Sequence, residues 1–174
     1  MNRDQLEHLI RAAADIADDN EIVVIGSQAI LGQHPDAPAE VLASMEADLY
    51  PKNHPERADV VDGAIGELSR FHDTFGYFAQ GVAEETATLP EGWKDRLVPV
   101  RGPGTRGATG WCLEVHDLAV SKLVAGREKD LDFVAAIARH GLIQAGTVDQ
   151  RIAATTLNAQ LRPVVQARAR QAFR

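Results

Sequence analysis

Apolar positions in residues 3–18 recur at Leu6, Leu9, Ile10, Ala13 and Ile16, with Asp4, Glu7, Arg11, Asp15 and Asp18 elsewhere on the wheel. That spacing predicts an amphipathic opening helix. The period then changes. Residues 22–25, Ile-Val-Val-Ile, are β-branched and apolar without alternation, which suits a strand buried on both faces and so central in a sheet. Gly26-Ser27 closes it, and Ser-Gln-Ala-Ile-Leu (residues 27–31) begins a short helix whose free amides the Ser27 hydroxyl can cap. After a Pro- and Asp-containing loop, residues 44–51 alternate Met45, Ala47 and Leu49 with Ser44, Glu46, Asp48 and Tyr50, a strand with one apolar and one polar face that stops at Pro51.

Further on, a helix fits residues 56–71, loosened by Gly63 and Gly66, and shorter strands fit 76–82, 96–101 and 110–115. From His116 the pattern is helical: residues 116–125 stop at Gly126, residues 127–140 stop at Gly141, and residues 147–157 and an arginine-bearing tail follow. Strands gathered in the first two-thirds and helices in the last third predict an α+β fold, a mixed sheet with flanking helices and a helical C-terminal part.

Size supports one unit. With 174 residues, 45% of them hydrophobic, the chain suffices for one core and is short for two domains, so a single domain over residues 1–174 is expected, sheet-containing to about 115 and helical beyond. No window approaches the roughly 18 apolar residues of a membrane helix, and the first ten residues are charged where a signal peptide turns apolar, which points to a cytoplasmic protein with no membrane partner. Cys112 stands alone, so no internal disulfide forms and no zinc-type spacing exists; it reads as a small core residue. A net charge of −7 repels polyanions except at a local basic patch. Residues 158–174 carry Arg162, Arg168, Arg170 and Arg174 without an acid, a pattern better suited to completing a helix dipole than to a binding patch.

Candidate chemistry concentrates at the second strand. Side chains on a strand repeat every two residues, so Glu46 and Asp48 point to the same side, roughly 6–7 Å apart at the backbone. Two acids there can grip a hard cation such as Mg²⁺, whose remaining positions are filled by water and phosphate oxygens. Gly26 lets backbone come close, and the helix start at Ser27 offers amides to phosphate. Each half alone is a common feature of ordinary proteins. Arg127 and Lys129 lie at a helix start, where their charge opposes the dipole. Either a bound anion explains them, or Arg127 pairs with Asp130 to tie the turn. His72 and His116 sit at helix boundaries, where capping suits them; Trp93 and Trp111 read as lids on the core.

Taken together, the strand, Gly-Ser turn, short helix, loop and E-x-D strand resemble the signature of the nucleotidyltransferase superfamily, in which a Gly-Ser turn precedes a D-x-D strand carrying the metal ligands. The match falls on Gly26, Ser27, Glu46 and Asp48. Residues 116–134 are similar to a helical segment of AbiEii-type nucleotidyltransferase toxins, with Asp117, Leu118, Lys122, Arg127 and Asp130 at its D-L-x-x-x-K and R-x-x-D positions. The resemblance spans roughly residues 5–140. It implies Mg²⁺ on Glu46 and Asp48, an NTP held by Gly26, Ser27, Lys122, Arg127, Lys129 and Asp130, and an RNA or protein hydroxyl as acceptor, in a toxin–antitoxin or phage-defence setting with an antitoxin partner. Two departures stand out: Glu46 replaces the usual Asp, and the third carboxylate common in the superfamily has no obvious equivalent. Glu114, on the strand expected at 110–115, is the candidate for it; Gln80 sits where an acid would have been welcome. A scaffold that binds a nucleotide or a protein without chemistry is the alternative.

Overall fold

The computed structural model describes residues 1–174, and in it the unbroken apolar run becomes the middle of a sheet. Strands β1 (Glu21–Val24), β2 (Glu46–Pro51), β3 (Phe78–Gly81), β4 (Val98–Val100) and β5 (Thr109–Cys112) are ordered β3-β2-β1-β5-β4. The sheet is mixed: β1 runs antiparallel to β2 and parallel to β5, β2 runs parallel to β3, and β4 runs antiparallel to β5. Register decides which residues meet. Val23 stands opposite both Tyr50 and Trp111, and Asp48 opposite Gln80. Strand alternation therefore gathers Glu46, Asp48, Tyr50, Gln80 and Trp111 on one face, and Ile22, Val24, Ala47, Leu49 and Gly110 on the other.

The second face is closed by helix α1 (Arg3–Ala17). Asn2 and Gln5 form a reciprocal capping box at its start, and Leu6, Leu9, Ile10 and Ala13 are fully buried beneath it. Ile10 lies so close to Gly110 that no side chain fits there. Helices α2 (Ala58–Ile65) and α3 (Arg70–Phe75) flank the β3 edge. Helices α4 (Val115–Ala125), α5 (Glu128–Arg139), α6 (Ala145–Ala153) and α7 (Leu161–Ala172) pack on one another. A single buried cluster includes Leu6, Ile22, Leu49, Leu118, Ile137 and Val165, so the sheet and the C-terminal helices share one core. Cys112 is buried in it as a free thiol. No helix is long and apolar enough to cross a membrane.

Three expectations change. The helix expected over 56–71 is broken: a 3-10 turn at Pro55–Arg57 precedes α2, Gly66 ends α2 in extended geometry, and Ser69 caps the separate α3. The segment after β1 is a six-residue 3-10 turn, Ser27–Gly32, whose cap position is Gly26, and the Ser27 hydroxyl makes no capping bond. The strand expected at 110–115 ends at Cys112. Glu114 lies beyond it as the N-cap of α4, accepting hydrogen bonds from the amides of His116 and Asp117 at 3.0 and 3.3 Å.

Candidate functional site

The polar face of β2 opens into a cleft of about 450 Å³. Glu46 and Asp48 form one wall, with Gln80 beside them from β3 and Ser27 from the 3-10 turn. A Cβ on Gly26 would fall on the Asp48 carboxylate, so only glycine lets the turn pack against that acid. The opposite wall comes from the turn between α4 and α5. Gly126 ends α4 with φ 66°, a left-handed value that favours glycine, and brings Lys122, Arg127 and Lys129 into the cleft. Arg127 is the N-cap of α5 and makes no capping bond, so the positive end of that helix also faces the cleft.

Asp130 holds two of these cations, Lys122 and Arg127, in place. It is 1% exposed, and its carboxylate accepts from Lys122 Nζ at 3.0 Å and from Arg127 Nε and Nη2 at 2.6 and 3.2 Å. Burial alone would raise its pKa, but Arg127 and Lys122 reverse the shift and hold it below the usual carboxylate range. The Arg127–Asp130 tie offered as one explanation of the turn is therefore formed. It leaves the Arg127 side chain 61% exposed, with N–H groups directed by the fork and still open to a second anion.

Across the cleft the balance is reversed. Burial first, and the adjacent Asp48 carboxylate second, push the Glu46 carboxyl above its ordinary range; Lys129 offsets this only in part. Two acids held side by side with a distant cation form a donor set that a hard divalent ion would neutralise. No group of three or more acids, histidines or cysteines is arranged to hold an ion, so Mg²⁺ fits these residues only with water or phosphate completing its shell. A second hollow of about 300 Å³ adjoins the first, sharing Asp48, Gln80, Lys122 and Arg127 and continuing past Gly26, Thr86, Thr88 and Ser121.

Of the residues singled out in the sequence, Ser27, Glu46, Asp48, Lys122, Arg127, Lys129 and Asp130 meet at the first cleft, and Gly26 supports Asp48 from the adjoining hollow. Glu114 lines neither space. Besides capping α4 it accepts a bond from His116 Nδ1 at 2.7 Å, and His116 bridges onward to Gln144. Burial raises the Glu114 pKa, but these bonds, the His116 contact foremost, carry it below the ordinary value. The place beside Asp48 belongs to Gln80, a neutral amide. Sequence reasoning also passed over Glu40, Asp132 and Phe133, which line the far end of the cleft. The α5 residues carry a readable signal: Lys129, Asp132, Phe133 and Ala136 follow i, i+3, i+4, i+7 spacing on one helical face. Asp117, matched to the toxin-like segment, is fully buried on Arg96 at 2.8 and 3.0 Å with Arg151 at 3.1 Å, away from the cleft.

A strand bearing two acids packs on a Gly-Ser turn and is faced by a basic helix start, the elements on which the resemblance to the nucleotidyltransferase superfamily rests. The family model described as "Nucleotidyltransferase of unknown function (DUF6036)" matches residues 4–172, and the chain belongs to that family. No curated protein and no solved structure matches it.

Proposed function

We propose that this protein is a magnesium-dependent nucleotidyltransferase, holding an NTP in the β2–α5 cleft and passing its nucleotidyl group to a hydroxyl of RNA or protein. One observation carries this reading: Glu46 and Asp48 share a face of β2 and confront Lys122, Arg127 and Lys129 across the cleft. Magnesium on the two carboxylates would supply charge neutralisation at the phosphates. The chain's own part is positioning and electrostatics, the main resources of phosphoryl transfer. Lys122 and Arg127, oriented by Asp130, bind phosphate oxygens; Ser27 contributes its hydroxyl; Gly26 keeps Asp48 aimed at the phosphate end. In the transfer, the acceptor oxygen bonds to the α-phosphorus, the bond to the bridging oxygen breaks, pyrophosphate leaves with that electron pair, and the hydroxyl proton passes to solvent. The adjoining hollow at Thr86, Thr88 and Ser121 is the space for the acceptor. The resemblance to AbiEii-type toxins supports seeking that acceptor, and an antitoxin partner, in a toxin–antitoxin or phage-defence setting.

Gln80 favours a second reading, a nucleotide-binding scaffold without chemistry, because an amide beside Asp48 cannot take the acceptor's proton. Calorimetry with Mg-ATP and Mg-CTP on the wild type and on Asp48→Ala tests the shared premise. The wild type should bind at least one and the variant neither; equal binding by both removes the acidic pair from the site. Incubation with α-labelled NTP, total RNA and cell protein then separates the readings: label transfer supports the enzyme, and binding without transfer supports the scaffold.

A further inference from the structure

The cleft is graded along α5, and the gradient has a chemical meaning. An α-helix rises about 1.5 Å per residue, so Phe133 stands about 6 Å beyond Lys129 and Ala136 about 10 Å beyond it. The start of α5, with Arg127 and Lys129, faces Glu46 and Asp48; one turn on, the same face turns apolar at Phe133 and Ala136 while Asp132 stands beside them. The loop of residues 33–45 closes this far end with Val41 and Ala43. That loop is pinned to the end of α5 through Glu40, which accepts from Arg139 Nη2 at 2.8 Å and contacts His140. The base of a triphosphate held at the basic end has this far end within reach.

Resting on the nucleotide reading above, we infer that this far end is a base subsite selecting nucleobases that present an amino group. Phe133 offers a flat apolar surface, and Val41, Ala43 and Ala136 complete an apolar slot for a heteroaromatic ring. The free polar group at the slot is the Asp132 carboxylate, since Glu40 is already engaged by Arg139 and His140. An ionised carboxylate only accepts hydrogen bonds. It welcomes the exocyclic amine of adenine or cytosine and confronts the carbonyl oxygen of hypoxanthine or uracil with a second acceptor. The discrimination comes from setting acceptor against acceptor in the keto analogue, a repulsive element rather than a lost bond alone.

Two nearly isosteric pairs test this, CTP against UTP and ATP against ITP, titrated with Mg²⁺ by calorimetry on the full chain. The amino member of each pair should bind about tenfold or more tightly. Asp132→Asn, a substitution at an exposed position, should bring both ratios to within about twofold while binding persists. Glu40→Gln, which loosens the loop tether and removes a carboxylate already engaged by Arg139 and His140, should weaken both members alike and keep the ratios. Equal binding within each pair, tighter keto members, or ratios unchanged in Asp132→Asn would overturn the inference while leaving the nucleotide site standing. Absence of any binding by the wild type would instead overturn the reading on which it rests.

Discussion

At the scale of single residues, Gly26 and Gln28 pull in opposite directions. Gly26 has no side chain because the Asp48 carboxylate occupies that space. Gly26→Ala should weaken Mg-NTP binding at least tenfold and also lower the unfolding midpoint, because the added methyl strikes the Asp48 side chain as far back as its Cβ, which cannot swing away. Calorimetry and a thermal melt on the same sample check both halves. Gln28, one residue past the Ser27 position, is fully buried, and neither its amide oxygen nor its nitrogen meets a hydrogen-bond partner within the protein. An unmet buried amide costs about 1–3 kcal/mol. Gln28→Met, similar in volume and apolar, should therefore raise the melting temperature. The sequence hinted at Gly26 through the Gly-Ser pair, since tight turns declare themselves in composition. Gln28 was invisible in it, because whether an amide finds a partner depends on what packs around it.

At the scale of elements, the turn connecting α1 to β1 is tied to the turn after β2 through one carboxylate. Asp19, 5% exposed, accepts from the amides of Glu21, Asn53 and His54 at 3.0, 2.7 and 3.2 Å and from the Asn53 side chain at 2.9 Å. Burial on its own would raise the Asp19 pKa, but the four bonds together hold it below the ordinary value. A carboxyl whose folded pKa is depressed contributes stability above its unfolded pKa of about 3.9, and that contribution fades as pH falls toward the folded value. Asp19→Asn should cost about 2 kcal/mol at pH 7 by urea unfolding, and the gap to wild type should narrow steadily below about pH 4. A gap constant from pH 7 to pH 3 would contradict this role. Strand β2 was legible down to its stop at Pro51 because alternation is a local property. The split between α2 and α3 was only half legible: Gly66, read as loosening one helix, instead ends α2, and after Leu68 turns at φ 62° the Ser69 hydroxyl caps a new helix, a break the apolar spacing across 56–71 does not show. Glu114 misled because an acid one residue before Val115 reads equally as a strand end or as a helix cap, and the cap geometry won.

At the scale of the whole molecule, the two walls of the cleft come from parts far apart in the chain, so their spacing depends on how the C-terminal helices are fastened to the sheet. Arg168 of α7 donates to the carbonyls of Leu123 and Val124 at 2.7 and 3.3 Å, satisfying the end of α4 just before Gly126. Asp117 fastens the other end of α4: fully buried, it joins Arg96, at the end of the 3-10 turn Trp93–Arg96 before β4, to Arg151 of α6. Pairing at that distance in sequence left no periodic trace, so the sequence offered Asp117 only as a position of the toxin-like segment and gave no sign of Arg96 or Arg151 as its partners. Breaking a buried pair strands a charge, so Asp117→Asn should cost about 3–5 kcal/mol in urea unfolding. Removing both members of the Arg96–Asp117 pair is a different perturbation: Arg96→Met with Asp117→Leu should recover part of that loss, because Arg151 is then the one charge left uncompensated. A double variant no more stable than the sum of its single changes would show that the pair fastens nothing. Nucleotide affinity offers an independent readout, since Asp117 does not line the cleft. Under conditions where each variant is fully folded, Mg-NTP affinity should fall more than about threefold below wild type, because the pair fastens the helix that carries one wall of the cleft; affinity within about threefold would show that the pair stabilises the fold without setting the width of the cleft.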